Sequence, residues 1–67
     1  MFVVIELQKN ADGVVSNIVT SHETQADAES KYHYVLAAAA VSENPVHSAV
    51  LISEEGFPIM HQCYKHG

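Results

Sequence analysis

Only one stretch of this chain reads as a helix, and a single helix can cover only one face of whatever sheet it packs on. The run ESKYHYVLAAAAVS, reaching residue 42, holds four consecutive alanines, which are strong helix formers. Asn44-Pro45 stops it, because proline biases the residue before it away from helical geometry. Thr24 followed by Asp27 resembles a capping box with Asp in place of Glu, and places the start within SHETQADAES. Thr20 with Glu23 is a competing start. At about 100° per residue, Tyr32, Val35, Leu36 and Ala39 fall within roughly 80° of Ala28, a stripe suited to packing on a sheet. Tyr34, Ala37, Ala38 and Val41 gather on the far side. That flatter patch reads either as alanine used for its helix propensity beside a half-exposed tyrosine, or as a contact with another subunit or partner. On the second reading Tyr34, Ala38 and Val41 are interface candidates.

The rest of the chain reads as strands. FVVIELQ (residues 2–8) is β-branched and aromatic, with apolar residues on both faces: Phe2 and Val4 point one way, Val3, Ile5 and Leu7 the other. KNADG is a turn signal, with Gly13 able to take positive φ, and VVSNIVT (14–20) is a second, more polar strand. VHSAVLIS (46–53), the turn EEG with Gly56, and FPIMHQCY (57–64) form a second strand pair. Pro58 cannot donate to a ladder, which puts that last strand at an edge. The expected fold is α+β, ββαββ, in one domain over residues 1–67. The two most apolar strands are central, giving an antiparallel sheet of order 2-1-3-4 with the helix on one face. Phe2, Val4 and one face of VHSAVLIS, Leu51 included, are expected on the uncovered face. Val4 and Leu51 are therefore further interface candidates.

Size sharpens this expectation. Below about 70–80 residues one core rarely supplies more than a few kcal/mol, and small proteins add a disulfide, a metal or an oligomer. The chain has 67 residues, 48% of them hydrophobic, and Cys63 is its only cysteine. An internal disulfide is excluded, and self-association, most simply a homodimer, is the favoured staple. A lone cysteine suits a reducing compartment. The start MFVVIELQKN lacks a basic region and its apolar run ends at Glu6, so neither a signal peptide nor a membrane span is expected and the reading is cytoplasmic. The net charge is −5, with three lysines and no arginine, which argues against nucleic-acid binding. Nothing resembles the basic amphipathic helix of a membrane-surface protein.

Reactive side chains cluster in PIMHQCYKHG. In an extended strand His61 and Cys63 share a face, and His47 on the neighbouring strand is the obvious third ligand for a metal. Hairpin register decides. A three-residue EEG loop sets His47 opposite Cys63. A four-residue SEEG loop sets Val46 opposite Cys63 and turns His47 away. The second unites Val46, Val50, Ile52, Phe57, Ile59 and Cys63 on one face, and hydrophobic consistency usually fixes register. It is the favoured reading, with Cys63 in the core and no metal site. His33 is expected in an exposed pair with Glu29, His22 in solvent, and His66 mobile beside the terminus. No Ser-His-Asp or Cys-His spacing and no glycine-rich phosphate loop is recognisable, so no catalytic residue and no cofactor is expected. If a small ligand binds at a subunit interface, Tyr32, His61 and Tyr64 are the candidates.

The segments FVVIELQ with NADG, AESKYHYVLAAAAVS, and HSAVLISEEG with CYKHG resemble a family of very short uncharacterised proteins of gut Firmicutes and their mobile elements. The resemblance implies a bacterial accessory role and carries no activity or site residue. The function expected is a non-enzymatic, homo-oligomeric protein-interaction module. The alternative is a small-ligand-binding protein, sequestering or enzymatic, with its site between subunits. Free strand edges are a further place for a protein partner.

Overall fold

The computed structural model describes residues 1–66. Its elements run β1 (Phe2–Lys9), β2 (Val15–His22), α1 (Gln25–Ala40), β3 (Val46–Ser53) and β4 (Pro58–Lys65). The strands form one antiparallel sheet of order β2-β1-β3-β4, with α1 against one face. This is the ββαββ arrangement and strand order expected.

Both hairpins close with the same device. Asn10 Oδ1 accepts from the backbone N–H groups of Asp12 and Val14, each at 3.0 Å, and Gly13 N–H donates to Asn10 O at 3.0 Å. In the second hairpin Ser53 Oγ accepts from Phe57 N–H at 3.1 Å, and Gly56 N–H donates to Ser53 O at 2.9 Å. The third loop residue is glycine in each, at φ +85° (Gly13) and +86° (Gly56). A side chain there meets steric strain that glycine avoids.

The helix begins where the capping signal places it. Thr24 is extended, and its hydroxyl accepts from Asp27 N–H at 3.2 Å. That satisfies one of the donors a helix start leaves free. Ala28, Tyr32, Val35 and Ala39 are buried and Leu36 packs beside them, so the predicted stripe is the one that meets the sheet. Beneath it lie Val4, Ala49 and Leu51, with Phe2 and Met60 at the margin. Ala28, Ala39 and Ala49 are fully buried. These three small residues let the helix sit close to β1 and β3.

The covered face is the opposite of the one expected. Val4 is 1% exposed and Leu51 0%, both under the helix, so neither is available to a partner. The uncovered face carries the other parity of β1: Val3, Ile5 and Leu7. The reason is the width of the cover. One helix shields a strip over the middle of β1 and β3, and the parity of Val4 and Leu51 offers a short apolar strip followed by Glu6, Gln8 and His47. Those polar groups find partners beside the helix end. The parity of Ile5 and Val50 is apolar across most of the sheet and is left open.

The β3–β4 register also differs from both hairpins considered. Ser53 N–H donates to Phe57 O at 2.9 Å, so the loop is the three residues Glu54–Gly56, not four. A register shift then follows between Leu51 and Ile52, after which Leu51 pairs with Met60, Val50 with His61, Ser48 with Cys63 and His47 with Tyr64. The extra residue, Ile59, takes up the shift. This bulge turns Met60 toward the helix-side core and leaves Ile59 and Phe57 exposed. Pro58, which has no N–H to give the ladder, sits beside the irregularity at the edge.

Candidate functional site

Two regions hold the residues from which chemistry or recognition was expected. The first is a polar cluster on the helix side of the sheet, near the C-terminal end of α1. Strand alternation brings Glu6 and Gln8 of β1 beside His47 of β3. His47 is 4% exposed, and its Nε2 lies 2.6 Å from Glu6 Oε2. Gln8 Nε2 donates to the same carboxylate oxygen at 2.9 Å, and Asn44 Nδ2 donates to Gln8 Oε1 at 3.3 Å. A carboxylate accepts, so the His47 proton is assigned to Nε2. His47 Nδ1 is buried with no hydrogen-bond partner among the described residues. A histidine oriented by a carboxylate is one half of a base catalyst. Here no nucleophile bonds the other nitrogen, and no cavity opens onto it among the described residues.

Tyr32 and Tyr64 belong to this same side. Burial of Tyr32 raises its hydroxyl above the ordinary tyrosine value of 10.0, and the charge Tyr64 would carry nearby raises it further. Tyr64 pairs with His47 across the β3–β4 ladder and stacks on His66, with ring centroids 6.2 Å apart and planes 3° apart. His66, expected to be mobile, is hydrogen-bonded through both its backbone and its ring. Its backbone N–H donates to Pro45 O, and its Nε2 bonds Ala39 O, each at 2.8 Å. It thereby adds a side-chain donor to a carbonyl of the last helical turn that also accepts from Ser42 N–H at 3.3 Å.

The second region is the open sheet face. His61 and Cys63 lie there, on the opposite side of the sheet from His47, Tyr32 and Tyr64. The trio of His47, His61 and Cys63 therefore does not form, and no group of three or more His, Cys, Asp or Glu is placed to hold a metal ion among the described residues. Cys63 is half-buried on this open face, not in the core. Of the ligand candidates, Tyr32 and Tyr64 come together and His61 does not join them.

Cross-strand pairing arranges the open face in four rows. Ser21, Val3, Ile52 and Pro58 form the first. Val19, Ile5, Val50 and His61 form the second. Asn17, Leu7, Ser48 and Cys63 form the third. Val15, Lys9, Val46 and Lys65 form the fourth. Apolar residues dominate the first two rows and reach the outer strand β2, where Val19 is 56% exposed; the third row sets Leu7 and Cys63 among Asn17 and Ser48. No acidic residue lies in any row. The only lysines are Lys9 and Lys65, both in the last row.

On the helix, Tyr34 and Val41 are 71% and 83% exposed, with Ala38 exposed between them. Lys31 Nζ lies 5.3 Å from the Tyr34 ring centre. His33 is exposed and meets the Tyr32 ring edge-on at 5.4 Å. His22, expected in solvent, is half-buried at the end of β2 and pairs with Thr20 Oγ1 at 3.0 Å.

The Glu6–His47 pair had a signal that the sequence reading passed over. Glu6 and Gln8 share one parity of β1, and the β1–β3 register sets His47 opposite Gln8 and diagonal to Glu6 on the same face. No helix among the described residues is long and apolar enough to cross a membrane. Comparison with protein-family models, curated proteins and solved structures returns no match.

Proposed function

We propose that this chain is a non-enzymatic protein-interaction module of the cytoplasm that assembles with copies of itself through the open face of its sheet. One observation carries the reading: the parity of Ile5, Leu7 and Val50 makes a largely apolar surface that reaches all four strands and has no element packed on it among the described residues. Monomeric proteins rarely leave a contiguous apolar surface of several hundred Å² uncovered, and larger ones mark interfaces. A chain this short also has much to gain from a second layer. The separation of His61 from Tyr32 and Tyr64 supports the module over the small-ligand alternative, which needs those groups around one concavity. The resemblance to short proteins of gut bacteria and their mobile elements gives the module a bacterial accessory setting.

Sedimentation velocity tests the reading. The wild-type chain is expected to run as a dimer at micromolar concentration. Ile5→Asp places a charge at the centre of the face, and Val19→Lys places one on its exposed margin, where folding is not at stake. Both are expected to yield monomers with an unchanged far-UV spectrum. Dimers that survive both substitutions would move the assembly elsewhere, and the helix patch of Tyr34, Ala38 and Val41 is the surface to probe next.

A further inference from the structure

We infer that two copies stack through this face about a two-fold axis running across the strands, so that the lysine row of each copy lies against the acidic turn end of the other. The inference rests on the self-assembly reading above and names the arrangement that its chemistry selects.

The face is large enough for a second copy and little more. Eight-residue strands at about 3.3 Å per residue and four strands at about 4.8 Å spacing give a footprint of roughly 26 by 19 Å, or about 500 Å² per copy. A pair hides about 1,000 Å², close to the smallest area of a specific interface. An equal, self-complementary partner fills it with no surplus.

A closed pair of stacked sheets has two simple symmetries. With the axis along the strands, the same ends of both sheets coincide. Lys9 and Lys65 of both copies then share one row, across a gap of about 10 Å, with no acidic residue on either face to offset them. With the axis across the strands, each strand lies over its own counterpart, reversed. The lysine row then meets the row of Val3, Ile52 and Pro58. Just beyond that row lie Glu54 and Glu55, in the turn between β3 and β4, and Glu23, which follows β2. Glu54 already holds the Met1 ammonium at 2.7 Å. Glu55 is exposed and is the acid left to face a lysine from the second copy. Because β4 lies over β4, Lys65 is the lysine it meets. In the reversed stack the second and third rows meet each other, and the apolar first row lies under the aliphatic stems of the lysines, whose ammonium groups reach the acids beyond it. In the aligned stack the lysines of both copies crowd together, and charge decides between the two symmetries.

Zero-length carbodiimide cross-linking followed by peptide mass spectrometry tests this directly. Within one chain, Lys65 and Glu55 sit at opposite ends of β4, about 26 Å apart at the usual rise of a strand, beyond the reach of a direct amide bond. A Lys65–Glu55 or Lys65–Glu54 amide therefore reports contact between copies in the reversed stack. The expected result is that cross-link in the dimer band. Lys65→Glu is expected to weaken dimerisation on the order of tenfold, because an exposed pair made twice by symmetry is replaced by two repulsions. Adding Glu55→Lys to it is expected to restore the affinity. Both positions are exposed, so the fold survives the exchange. A dimer that Ile5→Asp dissociates, but that lacks the cross-link and ignores Lys65→Glu, would overturn this arrangement while leaving self-assembly through the face intact. A monomer at every concentration would overturn both, and would leave the face to a different protein.

Discussion

Shortening Leu51 to alanine should cost this domain most of its stability, whereas the same treatment of its neighbour Val50 should cost little. The two are adjacent in β3 and point to opposite faces. Leu51 is 0% exposed between Val4 and the helix. Removing its three outer carbons forfeits about 2.4 kcal/mol of transfer free energy at about 0.8 kcal/mol per carbon. The space left beneath a helix seated on alanines adds a cavity cost, for a total of about 3–4 kcal/mol. Val50 loses two carbons from a partly exposed site that water refills, or about 1 kcal/mol. The unfolding entropy of 67 residues is about 0.14 kcal/mol per kelvin near 60 °C, so the melting temperature should fall by about 20–30 °C for Leu51→Ala and by about 7 °C for Val50→Ala. Circular dichroism melts in the Val19→Lys background, which is expected to be monomeric, separate these, and repeating them in the wild-type background exposes any contribution of assembly at Val50. Equal shifts for the two variants would refute the assignment of the helix to the Val4–Leu51 face.

Two further outcomes follow from the polar cluster. Glu6→Ala strips the His47 ring of its only hydrogen-bond partner among the described residues and should cost about 1–3 kcal/mol, whereas Glu6→Gln keeps an acceptor and should cost distinctly less; equal urea midpoints would mean that the pair contributes nothing to stability. Tyr32 titrates above its ordinary 10.0 in the folded chain, so its contribution is complete below about pH 10 and is lost as pH rises toward the folded value, because the unfolded chain releases the proton first. Tyr32→Phe should flatten that alkaline loss, measured by urea midpoints between pH 8 and 11, and an unchanged slope would assign the loss to other groups.

Local chemistry made much of this fold readable. Thr24 and Asp27 marked the helix start, Pro45 confined its end, and the two x-x-Gly turns marked both hairpins. The buried stripe of α1 followed from its spacing alone. The side of the sheet that the helix takes did not, because β1 and β3 carry apolar residues at both parities and alternation then has no preferred sense. The helix seats on the narrow strip of Val4, Ala49 and Leu51, and Glu6, Gln8 and His47 bond one another and Asn44 at its margin. Register in the second hairpin failed for a different reason. The turn has three residues, and a bulge beside Pro58 adds one afterwards, so no uniform pairing describes the strand. Bulges answer to core filling, here the inward turn of Met60, which is a property of the assembled sheet. The contact of His66 is not legible in sequence because its partner, Ala39 O, lies far from it along the chain.

The strand order β2-β1-β3-β4 also shapes how the chain comes together in time. Each hairpin is local and closes over three residues, but an isolated pair of strands is at best marginally stable in water. The seam between β1 and β3 joins residues as far apart as Phe2 and Ser53, and only when it closes does either hairpin gain a layer to rest on. Closing that seam, with the helix as tether, carries the entropic penalty of the long loop. Two halves held by one seam can also close on the wrong tether. A β1–β2 hairpin from one molecule fits the β3–β4 half of another as well as its own, so concentrated refolding favours exchanged dimers whose seams match the native one.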